Sequence, residues 1–139
     1  NPQNTFVASF IGNPPMNLLA CHLDAGRGML IVDSNQAPLD LSLMQGPIEA
    51  PLKDGDSLTL GVRPENITLD AEPGPAAIPG KIYVTQPLGG ETLVNVEVGD
   101  QLVSVRIFTE ELPPLPEQVW LTLDLARTFL YGPDGERIL

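Results

Sequence analysis

The chain has 139 residues, 42% hydrophobic and 18% charged, a composition that supports a packed core and not a disordered segment. A formal net charge of −11, from 18 acidic and 7 basic residues, excludes a nucleic-acid backbone as partner and disfavours an anionic membrane surface. No apolar run reaches the roughly 18 residues that cross a bilayer, no leader pattern opens the chain, and the single cysteine cannot close an internal disulfide.

In chain order, Asn1 caps and Pro2 opens a short amphipathic helix with Phe6, Val7, Phe10 and Ile11 on one face, stopped by Gly12, Pro14 and Pro15. The start at Asn1, without an initiator Met, predicts a segment of a longer protein. Fifteen Pro and thirteen Gly then divide the chain into pieces too short for long helices. Leu18–Leu23 and Met29–Val32 flank the turn Gly26-Arg27-Gly28. Leu39, Leu41 and Leu43 alternate with Asp40 and Ser42, and Leu58, Leu60 and Val62 with Thr59 and Gly61. Both read as half-buried strands.

The stretch from Asp70 to Pro79 is an irregular connection, and Lys81 to Gln86 a strand. Val94, Val96 and Val98 alternate up to a Gly99-Asp100 turn, after which Val103, Val105 and Ile107 alternate in return. Val119, Leu121 and Leu123 share one face of a strand with Trp120 on the other. Pro133-Asp134-Gly135 closes a final hairpin between Phe129–Tyr131 and Ile138-Leu139. The fold class is all-β, a sandwich or a small closed barrel.

Catalytic signatures do not assemble. Gly74 through Gly80-Lys81 resembles a phosphate-binding loop but has one residue too many between its glycines, and Ile82 stands where Ser or Thr must hold magnesium. Asp54-Gly55-Asp56 reads as a turn, since the terminal glutamate of a calcium loop is missing. Cys21 and His22 are adjacent and so point to opposite faces of a strand: Cys21 reads as packing and His22 as a surface residue. No catalytic residue and no metal ligand is therefore assigned.

Two constellations stand above this background. In Gly61-Val62-Arg63-Pro64-Glu65, Pro64 ends a strand and puts Glu65 in a turn. Arg63 and Glu65 are placed either to pair with each other or to bind a partner. In Pro87-Leu88-Gly89-Gly90-Glu91-Thr92, the consecutive glycines allow a tight hairpin, or a loop whose N–H groups and Glu91 face a ligand or another subunit. Arg63, Glu65, Gly89, Gly90, Glu91 and Thr92 are the regulatory or interface candidates.

These phrases, with Asn4 through Asn17 at the start and Phe129 through Ile138 at the end, resemble the C-terminal regulatory region of carbohydrate-type ABC importer ATPases, the maltose and glycerol-phosphate importer group. Gly61–Glu65 is similar to that family's arginine–proline–glutamate turn, and Leu88–Thr92 to its leucine–glycine–x–glutamate–threonine loop. Gly90 departs mildly from the family's frequent Ser, and Tyr131-Gly132-Pro133 replaces a more acidic stretch. The resemblance implies residues 1–17 as a linker helix and bend from a nucleotide-binding domain, and 18–139 as an OB-type, TOBE-like barrel with added strands. It implies no chemistry and no cofactor in this segment, with ATP and magnesium confined to the preceding domain. It also implies a cytoplasmic place at the inner face of the plasma membrane, membrane permease subunits as partners of the whole subunit, a homodimer through this domain, and regulatory proteins as further partners. The alternatives are a small-molecule sensor for an oxyanion or sugar-like effector, with Gly89 and Gly90 as the anion-binding loop, and a free-standing β-barrel hydrolase.

Overall fold

The computed structural model describes residues 15–44, 46, 48, 51–109, 111, 112 and 114–139; the predicted opening helix lies outside them. The described residues form two antiparallel five-stranded sheets and no α-helix. In chain order, β1 (Asn17–Asp24), β2 (Met29–Val32), β3 (Pro38–Asp40) and β4 (Ser57–Val62) build the first sheet, completed by β10 (Phe129–Tyr131). Its strand order is β10-β4-β1-β2-β3. The second sheet uses β5 (Ile67–Asp70), β6 (Ala77–Pro87), β7 (Thr92–Val98), β8 (Gln101–Ile107) and β9 (Gln118–Leu123), in the order β5-β9-β6-β7-β8. Its two outer strands, β5 and β8, approach each other, so this sheet curls into a half-barrel.

The alternation read from the sequence explains this architecture. Leu58, Leu60 and Val62 on β4, with Leu19, Cys21 and Leu23 on β1, enter the same core as Val94, Val96 and Val98 on β7 and Val119, Leu121 and Leu123 on β9. Each such side chain contributes about 1.5–3 kcal/mol of transfer free energy when fully buried. Polar groups fix the register between the sheets. The Asn17 amide donates to the Ser104 carbonyl at 2.8 Å and accepts from the Ser104 N–H at 2.8 Å, while Gln101 Nε2 donates to the Leu18 carbonyl at 2.6 Å. These contacts tie β1 of one sheet to β8 of the other.

Three expectations are corrected. Leu39–Leu43 is not one strand: β3 stops at Asp40, whose carboxylate accepts from the Ser42 N–H at 2.9 Å and the Ser42 hydroxyl at 2.7 Å. That local cap turns Leu41–Leu43 into a 3-10 turn, as short Asp and Ser side chains compete with a ladder. The irregular connection is shorter than expected, because Ala77, Ile78 and Pro79 already pair with β9. Ile138 and Leu139 do return alongside Leu130, but through a bridge and not a second strand. The remaining hairpins fall where the turn residues put them.

Candidate functional site

The Arg-Pro-Glu turn is the joint between the two sheets. Arg63 follows β4 with extended dihedrals, φ −72° and ψ 145°, as the residue before a proline must. Pro64 opens a 3-10 turn over Pro64–Asn66, closed by the Asn66 N–H donating to the Arg63 carbonyl at 2.9 Å, and β5 begins at Ile67. Because the chain turns at Pro64, the strand alternation that would put Arg63 and Glu65 on one side no longer holds. They form no ion pair. Arg63 lies against the first sheet, its guanidinium carbon 5.7 Å from the centre of the Phe129 ring. Glu65 is exposed at a cleft of the second sheet.

The Gly-Gly motif is a tight hairpin. Leu88 N–H donates to the Glu91 carbonyl at 2.8 Å, and Gly89 and Gly90 both take left-handed dihedrals, φ 65° and 81°. This is a two-residue loop of the twist that antiparallel strands favour, open only to residues free of a Cβ penalty. Beyond it the motif turns inward. Glu91 Oε2 accepts from Arg106 Nη2 at 2.9 Å and from Arg106 Nε at 3.0 Å, with both side chains largely buried. Thr92 is buried and its hydroxyl donates to the Thr109 carbonyl at 2.8 Å. Glu91 and Thr92 thus anchor the hairpin to β8 and to the segment just after it.

A cleft of about 300 Å³ lies beside the Arg-Pro-Glu turn, lined by Glu65, Ile67, Leu69, Arg106, Phe108 and Leu115 among others. Glu65 and Arg106, the partner of Glu91, therefore line one cleft, while Glu91 itself does not line it, Arg63 faces away toward β10 and the two glycines stand at the hairpin tip. Two residues of this cleft were missed in the sequence, Arg106 and Phe108. Their signal was partial: Phe108 follows directly on the end of β8, two positions after Arg106, and the Arg106 guanidinium carbon lies 5.2 Å from the Phe108 ring centre. Phe108 is 66% exposed.

Other sequence readings resolve plainly. Lys81 sits in β6 and pairs with Glu117 at 3.2 Å, on a strand and not at a helix N-terminus. Asp54-Gly55-Asp56 is a turn in which Asp54 Oδ1 accepts from the Ala25 N–H and Asp56 Oδ2 from the Lys53 N–H. Among the described residues, no three His, Cys, Asp or Glu side chains come together to hold a metal ion. Cys21 is buried, and burial pushes its thiol up to about 12, with the Asp33 charge adding to the effect. His22, on the opposite face, places Nδ1 2.8 Å from Asp33 Oδ1.

Residues 12–67 match the MalK OB fold domain and residues 60–130 match the TOBE domain. The chain belongs to the TOBE domain family. The two matches overlap on residues 60–67, which hold the Arg-Pro-Glu joint between the sheets. An sn-glycerol-3-phosphate import ATP-binding protein UgpC from Bordetella avium is 36% identical over 138 residues, 99% of this chain and 34% of that protein. UgpC from Salmonella typhimurium is 34% identical over 140 residues, 99% of this chain and 37% of that protein. This OB/TOBE chain thus spans about a third of the length of the curated relatives it matches, and corresponds to the C-terminal region of such an ATP-binding protein. In fold, it is similar to a solved structure of the cytoplasmic molybdate-binding protein ModG, with a TM-score of 0.61 and 11% identity over 82% of this chain and 94% of that one.

Proposed function

We propose that this TOBE-family chain is the regulatory and dimerisation module of the ATP-hydrolysing subunit of a sugar or glycerol-phosphate ABC importer. The observation that carries the reading is the alignment of 99% of the chain with import ATP-binding proteins of which it forms about a third. In this reading ATP and magnesium bind only in the preceding domain, and the module contributes no reacting group. The whole subunit works at the cytoplasmic face of the membrane on permease partners, and the module pairs with its copy across the transporter two-fold. Its mechanism is conformational: a self-complementary contact biases the opening and closing of the attached ATPase domains.

The surface of β6 supports pairing. β6 pairs with β9 only as far as Lys81 and with β7 through Pro87, with a register shift between Ile82 and Val84. At and beyond that irregularity Tyr83, Val84 and Leu88 are exposed. Residues 82–90 carry no charged side chain. In a chain of net charge −11, an uncharged apolar edge is where a second copy approaches with least repulsion. The test is steady-state ATP hydrolysis by the parent subunit with and without residues 1–139. Loss of cooperative dependence on ATP, with hydrolysis itself retained, is the expected result. Unchanged cooperativity contradicts a coupling role.

A further inference from the structure

The outer face of the first sheet carries a cluster that the pairing role does not use. Leu58, Leu60 and Val62 face the core, so Gly61 and Arg63 face away from it; on the neighbouring β10, Leu130 faces the core while Phe129 and Tyr131 face away. Phe129 and Tyr131 form a small second apolar cluster there with Met16 and Leu18. Two guanidinium groups stack on the Phe129 ring, Arg63 at 5.7 Å and Arg137 at 4.7 Å from its centre. Their carbons therefore stand at most 10.4 Å apart, the two distances laid end to end.

The hydrogen-bond inventory of this cluster is one-sided. Arg27, Lys81, Arg106 and Arg127 each reach a carboxylate: Asp24, Glu117, Glu91 and Asp124. Arg63 and Arg137, both half-buried, pair with no carboxylate among the described residues, in a chain with 18 acidic side chains to choose from. Stacking occupies the faces of the guanidinium planes and leaves their N–H edges without a carboxylate among the described residues. Beside them the Tyr131 hydroxyl is fully buried and has no hydrogen-bond partner among the described residues. A buried hydroxyl without a partner is destabilising, and two like charges sharing one ring repel. The two guanidinium groups can only donate, the phenol can donate as well as accept, and among the described residues the cluster holds no carboxylate to receive them.

We infer that Arg63, Arg137 and Tyr131 form a binding site for an oxyanion, a carboxylate or phosphate group, with Phe129 as its apolar floor. Burial raises the pKa of the Tyr131 phenol above its ordinary value, against the opposing pull of Arg137 and Arg63, so the hydroxyl keeps its proton and remains a donor at neutral pH. The planar, always charged guanidinium is the side chain best suited to fork onto carboxylate or phosphate oxygens. The site differs from the glycine loop expected for anions: in the Gly89-Gly90 hairpin, the adjoining Glu91 places a carboxylate nearby. The inference stands independently of the pairing role.

The experiment is an NMR titration of the isotope-labelled chain with inorganic phosphate, and separately with succinate, at ionic strength held constant with sodium chloride. Saturating shifts at the Nε–H groups of Arg63 and Arg137 and the amides of Phe129 and Tyr131 are expected in the millimolar range. Arg63→Gln and Arg137→Gln each weaken binding by about fivefold or more, while Arg137→Lys, which keeps the charge but loses the fork, gives an intermediate loss. Non-saturating shifts, or the same binding curve in the doubly substituted chain, overturn the site. Unchanged amide spectra away from the cluster separate loss of binding from loss of fold. The same titration on the parent subunit locates the source: a response lost there identifies a carboxylate of the parent as the occupant, and a response retained identifies a free oxyanion.

Discussion

Gly99 is the most sensitive single position for the way the two sheets meet. It lies in the turn between β7 and β8 with φ +62°, and a Cβ added there overlaps the carbonyl oxygen of Ser34 and stands 2.6 Å from its carbonyl carbon, in the turn that follows β2 of the first sheet. Ordinary contact begins at 3.4 Å, so Gly99→Ala forces the hairpin and the Ser34 turn apart by about 0.8 Å at the least. The obstacle is backbone and has no rotamer to escape into. Left-handed dihedrals cost an alanine about 1–2 kcal/mol, and overpacking adds about 1–3 kcal/mol, for an expected loss of about 3 kcal/mol. Gly89→Ala is the control, since Gly89 has φ +65° and nothing lies within 4 Å of the place its new methyl would take, leaving only the dihedral cost of about 1 kcal/mol. Urea unfolding of both variants reads the difference, with an unchanged slope and a midpoint shift about three times larger for Gly99→Ala. Equal midpoint shifts would refute the close approach of the β7–β8 turn to Ser34.

Three further outcomes follow from the geometry. Glu91→Gln removes the charge facing Arg106 in a largely buried pair; a loss of about 1–2 kcal/mol is expected, between exposed and buried pairs, and a cycle with Arg106→Gln should show that the two losses are not additive. Thr92→Val leaves the Thr109 carbonyl without its donor, and a loss of about 1 kcal/mol in chemical denaturation is expected. Cys21 gives an alkaline limb to stability: its thiol loses its proton near 9 when unfolded but only at about 12 when folded, so the native state holds the extra proton and stability falls as pH rises from 9 to 12. Unfolding midpoints at pH 8 and 11 should drop further in the natural chain than in Cys21→Ala, by a free energy on the order of 2 kcal/mol.

Most of the fold was legible because its signal is local. Period-two alternation in Val94–Val98 and Val103–Ile107 sets both the strands and the face they bury, and Gly99-Asp100 sets the turn between them. Where a side chain competes with the ladder the pattern misleads, as at Asp40, whose carboxylate captures Ser42 and ends β3. The candidate site was legible in its pieces and not in its assembly. The Gly89-Gly90 hairpin follows from residue type alone, but the partner of Glu91 lies fifteen residues on, at Arg106, and only strand register supplies it. Arg63 and Glu65 share a motif, yet Pro64 sends them to different sheets. The convergence of Arg63 and Arg137 on Phe129 depends on β10 pairing with β4, a contact between the end of the chain and its middle that no local pattern encodes.

In the proposed role this module brings two copies of its parent subunit together. Sedimentation equilibrium of the chain from micromolar to millimolar concentration tests it most directly, alongside Val84→Lys, which puts a charge on the uncharged β6 edge. A reversible monomer–dimer equilibrium, weakened at least tenfold by Val84→Lys, is the predicted result. A strict monomer at the highest concentration would contradict it.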